Sequence, residues 1–212
     1  MADDLIFYTH PQSRGRIARW ALEEAGAVYE TRAVEYGTTM KGEDYLSVNP
    51  MGKVPAIVHN GHVVTECAAI CAYLADAFPE ADLAPTAEER ADYYRWMFFA
   101  AGPVEQAVTN NVAQFVPKPE QSRMFGYGNY EMAVDVLEKA VAAHPYIAGD
   151  RFTAADIYVG SGVGWGMLFG TLPKRDAFAA YFDRLSSREA YKRAGAKDDA
   201  LAAELEAAKT PA

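Results

Sequence analysis

The sequence predicts an α/β domain followed by an all-helical domain. Strand and helix signals alternate over the first third of the 212 residues. Asn60-Gly61, set between two apolar runs, is the strongest hairpin signal in the chain. Beyond Thr86 no stretch reads as a strand, and the periodic segments have helical spacing. The boundaries fall at 1–80 for the first domain, 81–86 for the linker and 87–212 for the helical domain.

Leu5–Tyr8 is a short apolar run and reads as a strand. His10–Gly15 holds Pro, Ser and Gly and reads as a turn. Ile17, Trp20, Ala21, Leu22 and Ala25 recur at helical spacing, and Gly26 stops that helix. Val28–Tyr36 alternates loosely as a second strand, and Gly37–Ser47 is a polar loop with room for one helical turn. Val54–His59 and His62–Thr65 form the hairpin, and Glu66–Phe78 is a helix with Ala69, Ile70, Tyr73, Leu74 and Ala77 on one side. The first β-α-β implies a parallel pair with a right-handed crossover, and the hairpin adds an antiparallel edge. PEADLAPT, Pro79–Thr86, is the linker. Helices then cover Ala87–Val116, Glu120–Ala143, Thr153–Phe169 and Lys174–Ser187, with a break at Pro117–Pro119. Beyond Ala190 an Ala/Lys/Asp/Glu-rich stretch reads as a surface helix and a frayed tail.

Composition narrows the function. Half the residues are hydrophobic and 23% are charged, an ordinary globular balance. The net charge of -9 argues against a nucleic-acid or anionic-membrane binder, because either needs a basic face. Two cysteines, Cys67 and Cys71, cannot build a disulfide framework. His10, His59, His62 and His144 show no metal-ligand spacing, so no metal is expected. The start, MADDLIFYTH, is acidic where a signal peptide is basic, and the longest uncharged run, Ile157–Pro173, carries five glycines. A cytoplasmic location is the expectation.

Three motifs carry chemistry. In Asn49-Pro50-Met51-Gly52-Lys53-Val54-Pro55 a proline opens a strand, where it has no N–H for the ladder. The plain reading is a trans proline at a loop end. The functional one is a cis-proline that turns the Val54 backbone outward to pair with an extended peptide. In Thr65-Glu66-Cys67-Ala68-Ala69-Ile70 a strand gives way to a helix, so Glu66, Cys67 and their N–H groups stand at a helix N-terminus, a good carboxylate site. Phe152-Thr153-Ala154-Ala155-Asp156 is a capping box ahead of an apolar helix, structural in role and worth about 0.5–2 kcal/mol.

In this order the motifs resemble the cytosolic glutathione S-transferase family over nearly the whole chain. The resemblance implies a thioredoxin-like first domain and an all-α second domain that forms an electrophile pocket. NPMGKVP matches the cis-proline segment, TECAAI the γ-glutamyl-binding segment and FTAAD the helix-capping motif. The implied activity is a glutathione transferase working in detoxification, with glutathione as co-substrate, a small hydrophobic electrophile as partner, and a homodimer as assembly. Lys53, Val54, Pro55, Glu66 and Cys67 are the expected glutathione-binding residues.

Catalysis then requires a thiolate, because the thiolate is the nucleophile. A free thiol ionises near pH 8.5, and lowering that by about two units takes roughly 2.7 kcal/mol. A hydroxyl donating to charged sulfur supplies on the order of 1.5–3 kcal/mol. Ser13, at the start of the first helix, stands where theta-, zeta- and beta-like classes keep Ser or Cys. Tyr8, at the end of the first strand, stands where alpha, mu and pi classes keep Tyr. Ser13 is favoured, because HPQSRGR resembles the bacterial Ser/Cys-type turn, and Tyr8 is the alternative.

Other features have plain readings beside functional ones. Cys67 replaces the family's usual Ser, and a thiol is a weaker hydrogen-bonding partner. Cys67 and Cys71 share a helix face, yet the first strand is not followed by C-x-x-C, so a redox pair is disfavoured. Arg14, Arg16, Arg19, Lys41 and Lys53 make either ion pairs or a locally positive pocket. Lys53 has the better case for ligand contact and Arg19 for structure. The run Gly160–Gly166 lacks nucleotide-binding spacing and reads as close helix packing. Tyr93–Phe99 reads as bundle core, dimer contact or pocket wall. Rival functions are a glutathione-dependent isomerase, dehalogenase or peroxidase, and a non-enzymatic relative that binds a protein partner.

Overall fold

The computed structural model describes residues 4–209, apart from the side chain of Ser122. The acidic start at Met1–Asp3 and the tail expected beyond Lys209 lie outside the described residues. The chain divides into two units. One holds the chain through Leu83 together with Ser187 onward, and the other is Ala84–Ser186. The C-terminal segment, counted with the helical domain on sequence grounds, groups with the first unit.

The first unit contains β1 (Leu5–Thr9), α1 (Gly15–Glu24), β2 (Glu30–Ala33), α2 (Glu43–Val48), β3 (Ala56–His59), β4 (His62–Thr65), α3 (Cys67–Ala77) and α9 (Glu189–Lys209). The sheet order is β2-β1-β3-β4. β1 runs parallel to β2, with Ile6 opposite Glu30, and antiparallel to β3, with Ile6 opposite Val58. β3 and β4 form the expected hairpin around Asn60 and Gly61, both at positive φ. β2 is shorter than its sequence pattern suggests, and all four of its residues are exposed at the sheet edge. β3 starts at Ala56 rather than Val54, since Pro55 has no N–H to enter the ladder.

Alternation along β1 buries Leu5, Phe7 and Thr9, and α1 and α3 pack on each other and on the sheet. On the other face Tyr8 packs with Val34, Met40, Tyr45 and Ala56, and Val48 and Val54 close that cluster. α2 escapes a reading by periodicity, because Tyr45 is its one buried residue. α9 is not a simple surface helix. Ala190, Ala194 and Asp198, spaced by four, are buried. Along α1, Arg188 Nε reaches Glu24 at 2.6 Å, Lys197 Nζ reaches Glu23 at 2.5 Å, Arg19 Nε reaches Asp198 at 2.8 Å and Arg16 Nη2 reaches Asp199 at 2.6 Å.

The second unit contains α4 (Arg90–Phe99), α5 (Glu105–Val112), α6 (Tyr130–Ala143), α7 (Ala154–Phe169) and α8 (Asp176–Ser186). The single helix expected over Ala87–Val116 is interrupted by a π-helical stretch at Ala100–Val104 that carries Pro103. Proline has no N–H to give the helical ladder, so the regular winding is lost there. The helix expected from Glu120 starts only at Tyr130, after a 3₁₀ segment at Pro119–Met124, and Asn129 caps it by accepting from Met132 N–H at 2.8 Å. In Tyr93–Phe99, Tyr93 and Met97 are buried, whereas Tyr94 and Phe98 are exposed.

At the head of α7 the buried Asp156 carboxylate accepts from Ile147 N at 2.7 Å, Thr153 N at 2.8 Å, Thr153 Oγ1 at 3.1 Å and Tyr181 Oη at 2.8 Å. The capping box is therefore a hub joining α7, α8 and the preceding loop. The glycine run is a packing surface. A Cβ on Gly160 would overlap Leu185, and one on Gly164 would overlap the Phe182 ring, both on α8. Among the described residues no helix is long and apolar enough to cross a membrane.

Candidate functional site

The turn between β1 and α1 is held at every carbonyl from residue 10 to 12. Ser13 Oγ donates to His10 O at 2.6 Å, Arg16 Nε to Pro11 O at 2.6 Å and Tyr36 Oη to Gln12 O at 3.4 Å. Gly15 N–H donates to Ser13 Oγ at 2.9 Å, which ties the oxygen to the first turn of α1. A Cβ on Gly15 would overlap Thr9 Oγ1, so glycine lets the helix start close on the end of β1. The Ser13 oxygen is thus fixed, and its O–H is the one part free to rotate.

Tyr8 is placed differently. Its hydroxyl accepts from Arg32 Nη1 at 3.1 Å, and its ring lies against Tyr45 with centroids 5.3 Å apart. Arg32 belongs to the exposed edge strand, so the phenol faces β2 rather than the start of α1.

The segment from Asn49 to Pro55 is anchored from beneath. Asn49 Oδ1 accepts from Met51 N at 3.1 Å, and Asn49 Nδ2 donates to Lys53 O at 2.8 Å. Tyr45 Oη donates to the same carbonyl at 2.5 Å. Burial pushes the Tyr45 phenol up to about 12, so it keeps the proton it donates. Lys41 Nζ donates to Met51 O at 3.1 Å and Gly52 O at 2.8 Å. The Val54–Pro55 peptide is cis. Lys53 is exposed and Val54 half-buried. Tyr45 was not among the residues expected to matter; Lys41 was expected in an ion pair or a positive pocket, and Asn49 opens the motif itself, where Asn side chains close such turns.

Glu66 links β4 to α3 at φ 66°, ψ 119°, a left-handed setting that costs a residue with a Cβ of order 1–3 kcal/mol. Its side chain is exposed and makes no capping hydrogen bond to the helix. Cys67 is buried, and its Sγ donates to Arg14 O at 3.4 Å. That contact brings the N-termini of α3 and α1 together in one place. Two helix N-termini make it locally electropositive inside an acidic chain. Cys71 is a core residue. Burial first, and the neighbouring Cys67 second, raise its thiol well above the ordinary range, which disfavours the redox-pair reading.

The positive pocket expected from five basic residues is smaller than its count. Arg16 and Arg19 are taken by Asp199 and Asp198, and Lys41 by backbone carbonyls, so Lys53 is the exposed lysine of the segment.

Comparisons with known proteins converge on one family. The family model described as the glutathione S-transferase N-terminal domain matches residues 3–76. Glutathione S-transferase GstA of Escherichia coli O157:H7 is 30% identical over 168 residues, covering 77% of this chain and 79% of its own. A crystal structure of a glutathione transferase from Methylococcus capsulatus is 30% identical with a TM-score of 0.74, covering 92% of this chain and 98% of that one. A sphingomonad glutathione S-transferase solved with glutathione is 29% identical, with a TM-score of 0.73 over the same shares.

Proposed function

The chain belongs to the glutathione S-transferase family, and on that premise we propose that its first unit binds glutathione and ionises the thiol for attack on an apolar electrophile. The observation that carries the reading is the Ser13 hydroxyl, with its oxygen pinned by Gly15 N–H at the start of α1 and its proton resting on His10 O. When a thiol binds there, the O–H swings from the carbonyl to the sulfur. A hydrogen bond to a charged acceptor is worth on the order of 1.5–3 kcal/mol against about 1 for the neutral bond it replaces. The exchange therefore favours the thiolate, and the helix N-terminus adds about 0.3–1 kcal/mol. The thiol proton leaves to solvent. The sulfur lone pair then forms the S–C bond, and the electrophile's leaving group or displaced electron pair departs.

The rest of the site holds the peptide. The Val54 backbone beside Pro55 suits strand-like pairing with an extended tripeptide. The N–H groups at Cys67 and the head of α3 suit the γ-glutamyl carboxylate, Glu66 its ammonium, and Lys53 the second carboxylate. Tyr8, engaged with Arg32, is a wall residue in this reading. Family membership adds two expectations, a homodimer and a cytoplasmic, detoxifying role, and sedimentation tests the first.

The test is an ultraviolet difference titration of bound glutathione across pH. Wild type is expected to show the thiolate band well below the free thiol's range, and Ser13→Ala to lose it while still binding. An unchanged band in Ser13→Ala, with loss in Tyr8→Phe, would move the role to Tyr8.

A further inference from the structure

We propose that His10 is a positioning residue for Ser13, closing the turn that sets where the serine hydroxyl stands; the inference rests on the reading of Ser13 above.

His10 is buried, at 4% exposure, and it grips the turn with both its side chain and its backbone. Gln12 N–H donates to His10 Nδ1 at 3.2 Å, and Ser13 Oγ donates to His10 O at 2.6 Å. The first bond makes Nδ1 an acceptor with no proton of its own. A neutral ring in that state carries its proton on Nε2. Nε2 lies 3.7 Å from Glu35 Oε2, and a carboxylate favours the tautomer whose proton faces it. The same oxygen, Glu35 Oε2, also lies 3.7 Å from Lys209 Nζ. The ring also packs on Tyr36, with centroids 4.6 Å apart, and Tyr36 Oη holds the carbonyl of Gln12. Rotation of the imidazole is blocked on one side by this ring and opposed on the other by Glu35.

A side chain at position i that accepts from the N–H at i+2 reproduces the ring of an Asx turn. Histidine uses Nδ1 for what Asn does with Oδ1, since both atoms stand two bonds from Cβ. Two consequences follow. Asn is the conservative replacement at position 10, and Gln is not, because its acceptor lies one carbon further out. Loss of the acceptor also releases the residue whose carbonyl receives the Ser13 proton. Gln12 is exposed, so water can satisfy its N–H, and the fold tolerates the loss. The effect is felt in the placement of Ser13.

The experiment compares His10→Ala, His10→Asn, His10→Gln and Ser13→Ala by the thiolate titration, by kcat and KM for glutathione, and by circular dichroism. His10→Ala is expected to move the thiolate midpoint part of the way that Ser13→Ala does. Its kcat should fall about tenfold to a hundredfold, as misplacement of a reacting group does, with KM for glutathione nearly unchanged. His10→Asn should restore both readouts, and His10→Gln should not. If His10→Ala does not fold, the contrast between Asn and Gln carries the same test. A thiolate shift in Ser13→Ala with none in His10→Ala or His10→Gln would overturn the role of His10 and leave that of Ser13 standing. No shift in Ser13→Ala would overturn the reading of Ser13 and the inference with it.

Discussion

Cys67 Sγ sits 3.4 Å from the carbonyl oxygen of Arg14, so the first turns of α3 and α1 are in direct contact. This single thiol contact joins the element proposed to hold the γ-glutamyl carboxylate to the one that carries Ser13.

Cys67→Ser tests whether the weak thiol limits substrate binding. A hydroxyl is the stronger donor, and one neutral hydrogen bond improves by about 0.5–1.5 kcal/mol at most. Glutathione should bind about two- to tenfold more tightly by calorimetry. Equal or weaker binding would mean that the backbone N–H does the holding.

Asp198→Ala leaves Arg19 charged, buried and without its partner. Removing one member of a buried pair costs about 3–5 kcal/mol in urea denaturation. The double replacement Arg19→Met with Asp198→Leu should recover most of it. Burial already raises the Asp198 carboxyl, and the pull of Arg19 only partly offsets that. A carboxyl raised by folding costs stability once it ionises, so apolar replacement of the pair is expected to be tolerated near neutral pH. A double variant as unstable as the single one would refute this.

Asp156→Asn keeps the shape of the hub and removes half of its acceptors. The amide nitrogen would face donors that now reach a carboxylate oxygen, Thr153 N–H or Ile147 N–H according to its orientation. Each buried donor left unmet costs about 1–3 kcal/mol, so the urea midpoint should drop by the equivalent of about 2–4 kcal/mol. A loss below about 0.5 kcal/mol would show that the amide rearranges without penalty.

Glu23 sets an acid limit on the clasp between α1 and α9. Burial alone would raise its carboxyl, but hydrogen bonds from Lys197, Tyr29 and Arg193 outweigh it and hold the group below its usual value of 4.5. A carboxyl lowered by folding stabilises the native state above its unfolded value. That contribution is lost as pH falls from 4.5 through the lowered value. Glu23→Gln should cost about 1–2 kcal/mol at pH 7 and flatten the stability slope in that window. Parallel slopes for wild type and variant would sink the assignment.

The parts of the fold that are legible in the sequence are those with local causes. Asn60-Gly61 forms its hairpin, and Thr153 with Asp156 starts α7, because each needs only neighbours along the chain. Gly160 and Gly164 were readable as packing glycines, although their partners on α8 were not. α2 gave no periodic signal because only one of its six residues is buried. The π-helical stretch carrying Pro103 was missed because apolar periodicity continues through it. In the candidate site, Ser13, Lys53, Glu66 and Cys67 stood out by residue type and motif. His10 and Tyr45 act on backbone atoms, and no side-chain pattern announces a carbonyl or an amide that needs a partner.

The clasp on α1 also has a consequence for how the protein is made. Arg16, Arg19, Glu23 and Glu24 find their partners 164 to 183 residues further along the chain. Residues 84–186 form a contiguous unit, all of it synthesised before α9. In the unit that carries Ser13, Arg19 meets Tyr29 and Thr31 early but its carboxylate partner, Asp198, only once α9 is synthesised. α1, the first helix made, is the last to gain its charged partners.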